Sequence, residues 1–138
     1  MDITFITTPE LLARKFAIAA PLLEPVITQA ARGEFTVEDL YQLNLKGRAI
    51  TALIEKDGQG VMAVVFEFVH YPQMVAVNIM ALGGRYLDDS VSEFWSGFKA
   101  WCRDAGAEAI EASCSPAMTR LLSKYGFEPT YQVVRTAL

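Results

Sequence analysis

The sequence predicts a mixed α/β (α+β) fold in which helices cover both faces of a largely antiparallel central sheet. Three observations predict it. Strand-like runs at 49–56, 61–70 and 74–82 are separated only by "KDGQG" and "HYPQ", short turn-forming segments of the kind that join antiparallel neighbours. A run of helical period comes next, with Val91, Phe94, Trp95, Phe98, Trp101, Cys102 and Ala105 on one face. The strand-like "AEAIEASC" follows that helix, and a strand–helix–strand order favours a parallel crossover.

The remaining elements fall into place around these. "DITFIT" alternates closely enough to be a first strand. Thr7, with Glu10 three residues on, has the form of a capping box, and Pro9 suits a first helical turn. Pro21 and Pro25 lie in the apolar stretch that follows and each lacks an N–H, so that stretch is expected to break into two short helices. "GEFTVEDLYQLNLKGR" reads as a helix capped by Thr36 and closed by Gly47. The long helix is expected from Ser90 to a stop at Gly106. Asp88, Asp89 or Ser90 is its expected cap, with Glu93 completing an S-x-x-E box from Ser90. Ser115 and Pro116 open a last helix that Gly126 ends, and "TYQVVRTAL" is expected to close the chain as a strand. The order is β, α, α, β, β, β, α, β, α, β, without repeat or linker, so residues 1–138 are read as one domain.

Composition removes several classes of function. A chain of 138 residues, 52% hydrophobic, is long enough to bury a core without disulfides. Twelve basic against sixteen acidic residues leave a net charge of -4, which offers no footprint for a phosphate backbone, so no nucleic-acid partner is expected. The longest apolar run, 16–23, contains Pro21 and falls far short of the roughly 20 residues that span a bilayer, so no membrane partner is expected. "MDITF" lacks the basic start of a signal peptide, and the expected location is the cytoplasm. Cys102 and Cys114 read as reduced core thiols. With one His and no Cys cluster, no metal site is expected. Neither a G-x-S-x-G elbow nor a Walker loop is present.

The element order, together with "MTRLLSKYGFEP", resembles the GNAT acyltransferase superfamily, whose late helix carries a pattern like N-x-x-A-x-x-L-Y-x-K-x-G-F; Leu121, Lys124, Gly126 and Phe127 match it. The resemblance implies a cleft where the fourth strand splays from the fifth. Acyl-CoA would lie there, with the backbone of Met80, Ala81 and Leu82 against its pantetheine. It also implies a diphosphate loop of the form Q/R-x-x-G-x-G/A. Arg85 takes the first position of that loop, while Asp88 and Ser90 stand where the glycines would be. A carboxylate there repels a diphosphate by about 1 kcal/mol in high dielectric. Gly83 and Gly84 offer an alternative phosphate-cradling turn, or simply a bulge. Ser115 replaces the pattern's Asn, either capping the helix or touching a pantetheine amide.

The general-acid tyrosine of the pattern falls on Leu122, which has no proton to give, and Tyr125 is the nearby candidate, with core packing as its alternative. Glu67 is the candidate base for removing the proton of an amine, or else an ordinary strand glutamate. Asn78 is a candidate to polarise a carbonyl or bind pantetheine, or else a sheet hydrogen-bonder. His70 reads as a surface turn residue. Two function classes follow from the resemblance. One is an acetyl-CoA-dependent N-acetyltransferase acting on a small-molecule or protein amine. The other is an inactive GNAT-like protein with a protein assembly partner, similar to degenerate members in tailed bacteriophages that include virion components. Asp88, Asp89, Leu122 and the short C-terminal segment point to the second.

Overall fold

A computed structural model of the chain describes residues 1–30, 32–85 and 87–138. The strands are β1 (Asp2–Ile6), β2 (Ile50–Lys56), β3 (Gln59–His70), β4 (Val75–Gly84) and β5 (Ala109–Ala112). The helices are α1 (Pro9–Ala30), α2 (Val37–Leu45), α3 (Leu87–Asp104) and α4 (Pro116–Ser123). One sheet runs β1-β2-β3-β4-β5, antiparallel except for the parallel β4–β5 pair that the α3 crossover joins. Alternation along each strand divides the core in two. Leu53, Ala63, Val65 and Ala81 pack under α1 and α2, whereas Ile54, Val64, Phe66 and Val77 pack against α3, with α4 alongside.

Local chemistry explains most element boundaries. Asp57 and Gly58 both take positive φ, 54° and 78°, which gives the β2–β3 hairpin the two left-handed residues of a type I′ turn. Thr36 and Asp39 cap α2 reciprocally: the Thr36 hydroxyl accepts from the Asp39 amide, and the Asp39 carboxylate accepts from the Thr36 amide. Gly106 at φ 99° lets the chain leave α3, its N–H and that of Ala107 returning to the Arg103 and Cys102 carbonyls. On its inner side α3 presents Val91, Phe94, Phe98 and Cys102, all buried, with Phe66 edge-on to Phe98 at 5.1 Å.

Five expectations are corrected. Helix α1 does not break at its prolines but runs continuously from Pro9 to Ala30. Pro21 and Pro25 lie on its exposed side, so water can take the Ala17 and Pro21 carbonyls that they leave without an N–H, while Leu12, Phe16, Ala19, Leu22 and Leu23 hold the inner side in the core. The cap of α1 is Thr8 rather than Thr7, its hydroxyl accepting from the Leu11 amide. Helix α3 begins at Leu87, three residues before Ser90, which puts Asp88, Asp89 and Ser90 inside its first turns rather than at its cap. No strand forms beyond α4: residues 128–138 are exposed and irregular. Cys114 is exposed, although Cys102 is buried as expected.

Gly83 and Gly84 are still within β4 and have packing reasons to be glycine. A Cβ on Gly83 would stand 2.3 Å from the Leu22 carbonyl oxygen, and one on Gly84 2.3 Å from the Val61 carbonyl oxygen. Helix α1 therefore rests directly on the β4 backbone. Gly83→Ala should cost about 2–3 kcal/mol, the penalty of overpacking against backbone that cannot yield, read as a lower urea midpoint. Pro21→Ala should act in the opposite direction. The Ala17 carbonyl that it re-pairs is already open to water, so only part of the roughly 3 kcal/mol cost of an interior proline is recovered, the freer unfolded chain takes back about 1 kcal/mol, and the midpoint should rise slightly.

Candidate functional site

The site begins with a fault in strand pairing. Val65 is opposite Ala81 and the next β3 residue, Phe66, is opposite Ile79, so Met80 is an extra residue bulged out of β4. Pairing between β4 and β5 stops at the same place, with Ile79 opposite Ala112 as its last position. Beyond it β4 continues through Met80, Ala81 and Leu82 to Gly84, held by β3 on one edge and by no strand on the other. The chain after β4 enters α3 and the chain after β5 enters α4. The unpaired edge thus opens at the carboxyl ends of two parallel strands, between two helix starts.

At the α3 start, the Arg85 N–H donates to the Val61 carbonyl at 2.8 Å and the Ser90 hydroxyl donates to the Arg85 carbonyl at 3.1 Å. Ser90 is 8% exposed and steadies the backbone here instead of capping the helix. Asp88 turns toward α4, where its carboxylate accepts from Lys124 Nζ at 2.9 Å. That hydrogen bond, with the carboxylate charge, raises the Lys124 pKa above its ordinary value. The Asp88 carbonyl accepts from the Tyr125 hydroxyl at 3.4 Å. Tyr125 packs on Trp95 and therefore belongs to the α3–α4 contact. Leu122, at the tyrosine position of the family pattern, is core, 3% exposed. Ser115 caps α4, its hydroxyl accepting from the Met118 amide at 3.2 Å.

On the α1–α2 face, Glu67, Asn78 and Glu111 form a row across β3, β4 and β5, each half-buried and opposite its neighbour in register. Asn78 Nδ2 donates to Glu67 Oε2 at 2.9 Å. Tyr71 Oη donates to Glu111 Oε1 at 2.8 Å, and this bond to a carboxylate raises the Tyr71 pKa. The structure thus brings Glu67 and Asn78 together, two residues from the Met80 bulge, and leaves Tyr125 on the other face of the sheet. Glu111 and Tyr71 join the row without having been singled out in the sequence; only the β4–β5 register reveals them.

Two openings adjoin this face. A groove of about 320 Å³ is lined by Glu34, Phe35, Asp39, Gln42, Leu43, Lys46 and Met80. It links the α1–α2 connection to the bulge. A larger opening of about 690 Å³ sits at the opposite end of the sheet, where β3 runs past the start of β2, and includes Arg48, Glu67, His70 and Trp101. No group of three or more His, Cys, Asp or Glu side chains suited to a metal ion exists among the described residues, and no helix among them is long and apolar enough to cross a membrane.

No protein-family profile matches the chain, and no curated protein matches its sequence. Solved structures do match its shape over almost the whole length. An apo aminoglycoside 6'-N-acetyltransferase, AAC(6')-IG from Acinetobacter haemolyticus, aligns at TM-score 0.69 and 11% identity over 100% of this chain and 98% of that one. A ribosomal-protein-alanine N-acetyltransferase from Brucella melitensis biovar Abortus 2308 aligns at 0.65 and 14% over 99% and 100%. The aminoglycoside N-acetyltransferase AAC(6')-Iy in complex with CoA aligns at 0.65 and 13% over 99% and 93%. The chain therefore has the GNAT acetyltransferase fold, as its element order implied.

Burial pushes the Cys102 thiol up to about 12, so it stays protonated at neutral pH, whereas Cys114 is open to reagent. At pH 8 the folded protein should release one equivalent of thionitrobenzoate from a disulfide reagent, and the urea-unfolded protein two.

Proposed function

We propose that the chain is an acyl-CoA-dependent N-acyltransferase that moves an acetyl group to an amine. The observation that carries this reading is the Met80 bulge, which frees the β4 edge between an α-helix start on one side and the Glu67–Asn78 pair on the other. The residues present fit the cofactor. Unpaired backbone groups of Met80, Ala81 and Leu82 suit the amides of pantetheine, and the α3 N-terminus with Arg85 and Ser90 suits a diphosphate. Asp88 would oppose it, but Lys124 offsets that carboxylate.

Acetyl-CoA, when bound, supplies the activated acyl group. Glu67 takes a proton from the acceptor's ammonium, which leaves a lone pair on nitrogen. Asn78, donating to Glu67, fixes the direction of the carboxylate. The nitrogen would then take the acyl group from the thioester, the departing CoA thiolate receiving the second proton that the acylated nitrogen sheds, and a backbone N–H on the bulged edge would stabilise the oxygen that gains charge. Ser115, at the start of α4, lines the cofactor side. Tyr125 remains with the α3–α4 contact, where it supports the diphosphate end instead of the reacting atoms.

Titration calorimetry with acetyl-CoA should give micromolar binding, and absence of heat at millimolar ligand would sink the reading. Glu67→Gln should lower kcat by about a hundredfold or more, the scale of a lost general base, while leaving the acetyl-CoA Kd unchanged. A second reading, a protein-docking role without catalysis, is favoured by the C-terminal segment, where Tyr131, Val133 and Val134 are 90%, 69% and 88% exposed. A stable complex with a protein partner that forms equally well in Glu67→Gln, from a protein silent to acetyl-CoA, would establish it.

A further inference from the structure

The groove below Met80 carries an unusual guest at its rim, a cation from the chain's own end. Arg135 Nη2 donates to Glu34 Oε2, joining residues 101 positions apart. This is the one side-chain hydrogen bond, among the described residues, between segment 128–138 and the rest of the protein. The segment is otherwise irregular and exposed.

The other charged groups of the groove are already engaged or of the wrong sign. The Asp39 carboxylate is tied to the Thr36 amide at 2.8 Å as half of a capping box, and Lys46 is a cation. Glu38, one turn before Gln42, takes that side chain at 3.1 Å. Glu34 alone among the groove's carboxylates has a cation as its partner, and that cation comes from a segment with no other side-chain anchor. Its carboxylate suits a planar guanidinium, which offers two parallel donors.

Resting on the acyl-transfer reading, we infer that Glu34 selects the acceptor. It takes a guanidinium or ammonium that the acceptor carries in addition to the amine that reacts, and Arg135 is its built-in competitor. The acceptor is then a dication, one charge at the Glu34 rim and the reacting amine at the Met80 end of the groove. A monocationic amine can pair with Glu34 or offer its nitrogen for transfer, but not both at once.

The test compares agmatine, which has a primary amine and a guanidinium, with n-butylamine, which has only the amine. Arg135→Gln should lower the KM for agmatine roughly two- to fivefold with no rise in kcat, the small factor that an exposed pair allows. Glu34→Gln should bring the kcat/KM ratio of agmatine to butylamine down toward one. Calorimetric titration of agmatine into the protein without acetyl-CoA separates the two claims. If neither amine is acetylated, agmatine binding that tightens in Arg135→Gln and weakens severalfold in Glu34→Gln still upholds the Glu34 site, and only the transfer reading fails. Equal agmatine binding in all three proteins, with or without acetyl transfer, overturns the inference. Both side chains are about half exposed, so both variants should fold.

Discussion

One surplus residue in β4 sets the terms for everything around it. A strand has a period of two, so inserting Met80 between positions paired to Val65 and Phe66 forces the backbone to bend and strengthens its twist. The parallel partner β5 cannot follow, and its pairing ends where the bulge begins. Such a break would ordinarily weaken a sheet. Here β4 is held on its other edge by β3 as far as the Met62–Gly84 position, and from above by α1, whose Leu22 carbonyl approaches too close to Gly83 for any side chain. The open edge exists because the remaining sides of β4 are held tightly.

The electrostatics of the α3 start follow from the same geometry. Two aspartates in a first turn favour the helix through its dipole, which explains their presence without reference to a ligand. Lys124 reaches Asp88 from the end of α4 and pairs with its carboxylate. Both partners are largely exposed, so the pair is screened by salt and contributes little to stability. Its consequence is local: one of the two carboxylates already has its countercharge, and Tyr125 reinforces the same contact through the Asp88 carbonyl.

How much of this was legible in the sequence depended on the range of the interaction. Capping by Thr36 and Ser115, the Asp57–Gly58 turn and the stop at Gly106 are decided within a few residues, and each was readable there. The continuity of α1 was not, because a proline's cost depends on whether water reaches the freed carbonyl, and only the tertiary fold puts Pro21 and Pro25 on the outside. The start of α3 was misjudged because Ser90 looks like a cap, yet its hydroxyl serves the Arg85 carbonyl from within the helix. "TYQVVRTAL" has a strand's composition but acquires no strand partner. Glu67 and Asn78 were visible as residues, whereas their hydrogen bond is a fact of register, and the Glu34–Arg135 contact left no local trace at all.

Unpaired strand edges normally invite association with other chains, and this sheet has several. The outer strands β1 and β5 are only five and four residues long, which limits the template that each presents. The edge of β4 beyond Met80 is a different case, since it lies between the starts of α3 and α4, and Asp88 at the start of α3 is tied to Lys124 and Tyr125 just past the end of α4, so a foreign strand would have to part those helices. The C-terminal segment fits the same logic: with Tyr131, Val133 and Val134 exposed it is the most strand-prone piece of chain left without a partner, and the Arg135–Glu34 pair holds it against the body of the protein. A single exposed ion pair gives such a segment a preferred place without fixing it there.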